Sequence, residues 1–115
     1  MTSAPETTTM KKIAAPDDVE PVTVGKTRYE APHWGKTLGF AQNGGHVSAV
    51  DVASGKTLWT VELYKIDYKP NMEADKQDSF LVALDFDSTS SRLIAENDRG
   101  RRFALDPFSR QVTPL

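Results

Sequence analysis

The chain has 115 residues, a formal net charge of −2 at pH 7 and no cysteine. This length suits one domain with a small core, and the near-neutral charge gives no basis for a nucleic-acid or anionic-membrane partner. The lack of cysteine excludes disulfides, thiolate metal sites and thiol catalysis, and it agrees with the reducing cytoplasm, where we expect the protein to reside.

Residues 1–25 are predicted to be a flexible tail, because they are rich in Thr, Pro, Ala and charge and contain few large apolar side chains. Within this tail, Met10–Ala15 is similar to the start of a secretory signal, but Pro16 follows before an apolar run of signal length, so export is not expected. No stretch approaches the roughly 20 apolar residues of a membrane span. The sequence therefore predicts a soluble protein whose domain covers residues 26–115.

From Tyr29 onward, short runs of alternating apolar residues separated by Gly, Asn, Asp and Ser predict strands joined by tight turns, with no helix. The first repeat unit, about 26–64, contains three predicted strands: Thr37–Ala41, His46–Asp51 and Thr57–Tyr64. Turns are predicted at 42–45, where Asn and Gly tolerate positive φ, and at 53–56. Trp59, Val61 and Leu63 would share one face of the longest strand.

The second repeat unit, about 79–115, begins with a strand on which Phe80, Val82, Leu84 and Phe86 would share one face. Three further strands are predicted at 92–96, 101–106 and 111–113, with polar turns at 87–91 and 97–100. The joining loop, 65–78, contains a proline and several acidic residues. It would either form one helical turn around 72–76 or extend the flanking strands into a longer hairpin.

One phrase occurs twice: Gly45-His-Val-Ser-Ala49-Val-Asp51-Val-Ala-Ser54 returns as Gly100-Arg-Arg-Phe-Ala104-Leu-Asp106-Pro-Phe-Ser109. Repetition of a turn, a strand and a turn is typical of stacked sheet units. The phrase Ala49-x-Asp51-x-x-Ser54-Gly55-Lys56-x-Leu58-Trp59 resembles the blade repeat of quinoprotein-type (PQQ-like) β-propellers. The resemblance implies that Ala and Asp close a third strand, that Ser-Gly makes the turn, and that Trp packs between blades. In the second copy Arg110 replaces the turn glycine and no Trp follows.

The expected fold is therefore all-β, with two four-stranded antiparallel meander units. Two blades cannot close a propeller, which needs about four to eight of them. Copies of the chain would form a ring, the chain would donate its blades to a larger propeller, or the two units would close on each other as a small barrel or sandwich. We expect the last arrangement, because eight short antiparallel strands suffice for a small closed barrel and because an open pair would leave unpaired edges.

The stretch Phe80–Thr89 also resembles the first motif of haloacid-dehalogenase-type phosphotransferases, an apolar strand followed by Asp85-x-Asp87-x-Thr89. The resemblance implies a nucleophile at Asp85, a general acid/base at Asp87 and a bound magnesium ion. Against it, the internal repeat assigns residues 85–89 to a hairpin turn, and too little chain follows to supply the rest of such a site. A magnesium-dependent phosphotransferase is therefore the alternative, and a non-enzymatic domain is the prediction.

No metal or cofactor site is predicted. His33 and His46 have no second ligand-type residue at metal spacing. Asp51 and Asp106 precede turns and are expected to cap backbone N–H groups. The quinone of quinoprotein dehydrogenases lies at the axis of a complete propeller, so the resemblance implies no cofactor here.

The predicted function is a protein-interaction or assembly module, binding either a protein partner or another copy of the chain. Its candidate partner surface has two parts: the loop with Tyr64, Tyr68, Glu73, Asp75 and Asp78, and the turn with Arg99, Arg101 and Arg102. The acidic residues of the loop and the arginines of the turn would be complementary between copies of the chain. The alternative is that these charges are simply solvated. A long loop in a compact domain often has a function, and Tyr is enriched in binding hot spots. Trp59 is assigned to the core.

Overall fold

A computed structural model of the protein describes residues 18–73 and 77–115. It is an all-β domain of two four-stranded antiparallel sheets, each a meander in which consecutive strands are neighbours. The first sheet contains β1 (Val22–Val24), β2 (Thr27–Glu30), β3 (His46–Asp51) and β4 (Thr57–Glu62). The second contains β5 (Leu81–Asp87), β6 (Arg92–Asn97), β7 (Arg102–Leu105) and β8 (Val112–Pro114). This confirms the predicted fold class of two meander units.

The two sheets pack face to face around one hydrophobic core, as a sandwich and not as a closed barrel. Alternate residues of each strand face this core, which is the usual pattern for a sheet with one solvated face. The most buried apolar side chains come from both sheets: Tyr29, Val47, Ala49, Leu63, Leu81, Leu84, Leu93, Ala95, Phe103 and Leu105. Trp59 packs on this core beside Tyr29, with the two ring centroids 6.0 Å apart.

The predicted strand at Thr37–Ala41 is wrong. A 3₁₀ helix, Gly35–Leu38, lies there within a long irregular connection between β2 and β3, residues 31–45. The second strand of the first sheet is β2 instead, because Tyr29 has its side chain in the core and pairs with Ala49 across the ladder. Residues 42–45 are consequently not a hairpin turn, although the turn predicted as their counterpart, 97–100, is confirmed to within one residue, since residues 98–101 join β6 to β7 directly.

The predicted tail, residues 1–25, extends too far along the chain. Val22 and Val24 pack against the core while Thr23 faces solvent, and this period-two pattern forms β1, which pairs with β2. A run of three strand residues is too short to be recognised among the prolines and charges that precede it. The remainder of the predicted tail, residues 1–17, lies outside the described residues.

The predicted apolar face of β5 is also wrong in part. Leu81 is buried and Leu84 is buried, whereas Val82 is 53% exposed. The pairing of β5 with β6 shifts register between Leu81 and Ala83, so a β-bulge inserts one residue and turns the preceding side chains to the opposite faces. A strict period of two therefore fails across this position.

Each sheet has two ends of different character. At one end the chain turns tightly between β1 and β2, β3 and β4, β5 and β6, and β7 and β8. The other end, which we call the loop end, consists of residues 31–45, 63–73, 77–80 and 98–101. Across the described residues, no helix has both the length and the apolar character needed to cross a membrane.

Candidate functional site

One turn geometry occurs three times at the tight-turn end. In each case an Asp carboxylate closes the turn by accepting hydrogen bonds from the next few residues. Asp51 Oδ2 accepts from the backbone N–H of Ser54 at 3.0 Å and from its hydroxyl at 2.6 Å. Asp106 Oδ1 accepts from the backbone N–H of Phe108 at 2.8 Å. Asp87 accepts from the backbone N–H of Thr89 at 3.2 Å and from the Ser90 hydroxyl at 2.7 Å.

These hydrogen bonds give Asp87 a structural role in its turn, where the phosphotransferase resemblance implies a general acid/base, and they give Asp51 and Asp106 the capping role that the sequence predicts. The Ser90 hydroxyl and the Thr89 N–H hold the pKa of Asp87 below its usual value, because they stabilise the carboxylate. The Ser54 hydroxyl does the same for the pKa of Asp51, as does the Phe108 N–H for that of Asp106. Asp85 lies exposed on the strand before the turn. Within residues 18–73 and 77–115, no three His, Asp or Glu side chains are grouped so as to hold a metal ion.

The loop end is different, because a buried polar side chain organises it. Gln42 is 2% exposed, and its amide nitrogen donates to the backbone carbonyls of Gly44 at 2.9 Å and Tyr64 at 2.8 Å. Its amide oxygen accepts from the N–H of Ile66 at 2.8 Å. One side chain thus joins the β2–β3 connection to the segment that follows β4. No sequence pattern announces this role, since Gln42 stands beside Asn-Gly-Gly, which is typical of a turn.

A second polar link ties the same two segments together. Asp78 is buried and accepts from the Asn43 side-chain amide at 3.1 Å and from the Tyr68 hydroxyl. Burial and the Asp78 carboxylate raise the pKa of Tyr68 to about 12, so the phenol keeps the proton that it donates. The Lys36 ammonium lies 4.4 Å from the centre of the Tyr68 ring. The side chains of both Tyr68 and Asp78 therefore make internal contacts within the loop end.

The 3₁₀ helix is fixed on this framework and presents apolar side chains to solvent. The N–H of Gly35 donates to the carbonyl of Asn43 at 2.9 Å, and the N–H of Phe40 donates to the carbonyl of Gly35 at 2.9 Å. Trp34 is 47% exposed and Leu38 is 61% exposed. The Trp34 ring also packs edge-on against Phe80, with centroids 5.8 Å apart.

Two glycines allow the connection to pack this closely. A Cβ on Gly44 would lie 2.2 Å from the Ser79 carbonyl oxygen, and a Cβ on Gly35 would lie 2.3 Å from the Gln42 carbonyl oxygen. Neither position has room for a side chain, because both obstructing atoms belong to the backbone. The connection therefore rests directly on the start of β5, which brings it beside the β6–β7 turn.

The predicted partner surface is only partly a surface. Tyr64 stacks on Phe103 with centroids 5.2 Å apart and donates from its hydroxyl to the Ser79 carbonyl at 2.8 Å, and burial raises its pKa. Glu73 is exposed, and Asp75 lies outside the described residues. Of the predicted residues, Tyr64, Tyr68 and Asp78 form internal contacts, whereas Trp34 and Leu38, which the predicted surface does not include, are exposed.

The three arginines are exposed, as predicted, but they do not act as one group. Arg99 and Arg101 lie in the β6–β7 turn at the loop end, where Asn97 Oδ1 accepts from both backbone N–H groups. The Arg99 Nε is 3.8 Å from an Asp98 carboxylate oxygen, and the Arg102 Nε is 3.9 Å from one of Glu96. Arg102 belongs to β7 and faces away from the core.

His46 is a buried titratable residue of this region. It begins β3, is 2% exposed, and stacks on the Phe40 ring with centroids 4.7 Å apart. Burial lowers its pKa, although the Glu62 carboxylate acts in the opposite direction. His33 is also buried and packs against Phe80 at 5.5 Å.

No protein-family model matches the chain, and no curated protein matches it. The function is therefore inferred from the contacts of the chain itself.

Proposed function

We propose that this chain is a non-enzymatic protein-interaction module and that the loop end is its contact surface. The observation that carries the proposal is the β2–β3 connection, which is anchored by buried polar side chains and yet holds Trp34 and Leu38 in solvent. The resemblance of the sequence repeat to a propeller blade supports a domain whose β-meander units act as a scaffold for loops. The absence of cysteine favours the cytoplasm as its compartment.

The asymmetry between the two repeat units supports this assignment. The second unit joins its second and third strands through residues 98–101 alone, and it closes its sheet without a longer connection. The first unit uses residues 31–45 for the same purpose. Long ordered connections in compact domains are commonly functional.

The anchoring of the connection favours binding. Gln42, Asn43 and Asp78 form hydrogen bonds between segments distant in sequence, so the backbone around Trp34 is fixed before a partner arrives. A fixed surface loses little conformational entropy on association, which leaves more of the interaction energy as affinity. Trp is also among the residues most enriched in binding hot spots.

Charge indicates the kind of partner. Lys65 lies beside Asp67 and Arg99 beside Asp98, whereas no ion pair among the described residues uses Lys36, Lys69 or Arg101. These three cations belong to the loop end, as do the exposed apolar side chains; one exposed carboxylate outside these ion pairs, that of Glu73, also lies there. The surface therefore fits a protein segment with an apolar anchor flanked by carboxylates.

Selection from a random peptide library tests whether the loop end is a binding surface without requiring the sequence of the partner to be known. Random peptides displayed on phage are selected on the immobilised full-length chain, and the selected peptides are synthesised and titrated against variants. We expect Trp34→Ser to weaken binding at least tenfold, because the indole is the largest exposed apolar group of the loop end. The matched control is Phe108→Ser, which removes an 88%-exposed ring at the tight-turn end.

Three outcomes decide the proposal. Selected peptides that are enriched in acidic residues, lose affinity with Trp34→Ser and keep it with Phe108→Ser support the loop end. Peptides that respond to Phe108→Ser and not to Trp34→Ser overturn it. Failure to select any peptide above background also counts against an interaction module.

A further inference from the structure

We propose that His46 is a pH-sensitive latch on the loop end: protonation of its imidazole releases the β2–β3 connection from the sheet and so weakens partner binding. The effect on binding rests on the proposed function above, whereas the opening of the connection does not. The observation behind the proposal is that the β2–β3 connection packs directly on the titratable ring of His46.

The ring is enclosed by the connection itself. His46 is 2% exposed, and the Phe40 ring lies over it at 4.7 Å with an interplanar angle of 26°. On the same side, a Cβ on Gly35 would lie 2.7 Å from His46 Cε1, so the backbone of the 3₁₀ helix also contacts the imidazole. Any displacement of the ring therefore moves the segment that carries Trp34 and Leu38.

The pocket suits a neutral imidazole and not an imidazolium. Among the described residues, neither ring nitrogen of His46 has a hydrogen-bond partner. A neutral ring has one N–H donor, whereas the protonated ring has two and carries a full charge. Burying a charge that has no hydrogen bond costs far more than burying a neutral polar group that has none.

The charged groups on the surrounding elements offer the proton no hydrogen bond in the closed state. On β4, a Glu62 carboxylate oxygen is 3.9 Å from His46 Nε2, within ion-pair range of a protonated ring but beyond hydrogen-bond distance, and Glu62 is itself exposed. On β2, Glu30 is bonded to Arg28 at 2.6 Å. In the 3₁₀ helix, the Lys36 ammonium lies over Tyr68. The Asn43 carbonyl also raises the pKa of His46, although it makes no hydrogen bond of ordinary geometry to the ring, and burial outweighs both favourable influences.

The direction of the switch follows from these contacts. A histidine with a lowered pKa in the closed state binds its proton more readily when the connection is open. Closure is therefore fully favoured above the ordinary histidine pKa of about 6.5 and is lost progressively as the pH falls below it. In the open state the imidazolium reaches water and the exposed Glu62 carboxylate.

Amide hydrogen exchange and ring proton NMR of the free full-length protein test the latch. The reporters are the amides of Gly35 and Phe40, whose hydrogen bonds hold the 3₁₀ helix closed, and the reference is Ala95 in the central part of β6. After correction for intrinsic exchange, protection of the reporters should fall by up to about tenfold per pH unit below pH 6.5. Ala95 should stay better protected than the reporters at every pH, because its exchange needs wider unfolding; that unfolding also frees His46, so its protection falls by no more than the same factor.

His46→Phe should abolish the pH dependence, and His33→Gln, which alters the other histidine, should retain it. Retention of the pH dependence in His46→Phe would overturn the latch. Should this variant not fold, the ring signal of His46 in the unmodified chain decides: an ordinary pKa with pH-independent protection of Gly35 and Phe40 overturns the proposal. If the selected peptides bind equally well at pH 7.5 and about pH 5.5, the pH-dependent latch is overturned and the proposed binding surface stands. If the exchange data show the latch but no selected peptide binds the loop end, the proposed binding surface alone is overturned.

Discussion

At the scale of single residues, the three repeated turns share a backbone requirement beyond their Asp and Ser. The residue that follows the turn serine has positive φ in each: +73° at Gly55, +56° at Ser91 and +63° at Arg110. Residues with a Cβ lose roughly 1 kcal/mol or more in this left-handed region, and glycine does not. The same geometry is therefore reached at different cost in the three turns.

Exchanging residues at two of these positions should change stability in opposite directions. Gly55→Ala should lower the free energy of unfolding by about 1 kcal/mol, and Ser91→Gly should raise it by about 0.5 kcal/mol. A Cβ on Gly55 has no heavy atom within 4 Å, so the cost is one of backbone conformation alone. Urea unfolding measures both changes. Equal signs for the two variants would contradict a shared turn geometry.

Gln42 gives a second prediction at this scale. Gln42→Ala should lower the free energy of unfolding by about 2–3 kcal/mol, because the Ile66 N–H and the Tyr64 carbonyl lose their partners. Hydrogen exchange at Ile66 should accelerate as well. Gln111→Ala, at an exposed position, is the matched control and should change the free energy by less than about 0.5 kcal/mol. A small effect of Gln42→Ala would show that the connection is held by other contacts.

Hydrogen bonds between residues close in sequence can be predicted from the sequence, whereas those between distant residues cannot. Asp51 and Asp106 bond within three residues, and such local turns can be inferred from the order of Asp, Ser and Gly, as the structure confirms. Gln42 bonds to Tyr64 and Ile66, 22 and 24 residues away, and no local pattern carries that information. The exposed apolar residues of the loop end, Trp34 and Leu38, are missing from the predicted surface for the same reason, whereas its exposed charges Glu73, Arg99 and Arg101 are part of it.

At the scale of elements, sequence alternation places a strand correctly where the backbone is regular and incorrectly where the backbone departs from it. β3 occupies the predicted residues His46–Asp51, and β6 begins at the predicted Arg92. The stretch Thr37–Ala41 has strand-like composition, but the glycines around it permit the 3₁₀ helix, and Gly39 has a φ of +96°. Tertiary contacts of the connection decide the outcome there.

The bulge in β5 gives a prediction that separates the observed strand from a regular one. Leu84→Thr should lower the free energy of unfolding by about 2–4 kcal/mol, because it removes apolar packing from the core and buries a hydroxyl. Val82→Thr should change it by less than about 0.5 kcal/mol, because Val82 is 53% exposed. Urea unfolding of the two variants makes the comparison. Similar losses at both positions would mean that the strand has no bulge.

At the scale of the whole molecule, the distribution of polar side chains decides between a closed sandwich and an open pair of blades. In a propeller ring, each sheet is covered by a neighbour on both faces, so both faces would be apolar. Here the outer face of the first sheet carries the Arg28–Glu30 pair and the Ser48–Thr60 hydroxyl contact at 2.7 Å. The outer face of the second sheet carries Arg102 and Glu96. The faces that meet in the core are the apolar ones.

The mass in solution follows from this distribution. Light scattering during size exclusion should give a concentration-independent mass near 12.7 kDa over a tenfold range, because charged pairs on both outer faces disfavour burial against a second copy. A discrete trimer or tetramer would contradict the single sandwich as the functional unit. A decisive control is Arg102→Leu together with Glu96→Leu, which replaces the polar pair of the second sheet with an apolar patch. Association of this variant, but not of the unmodified chain, would show that the outer-face charges keep the two sheets a separate unit.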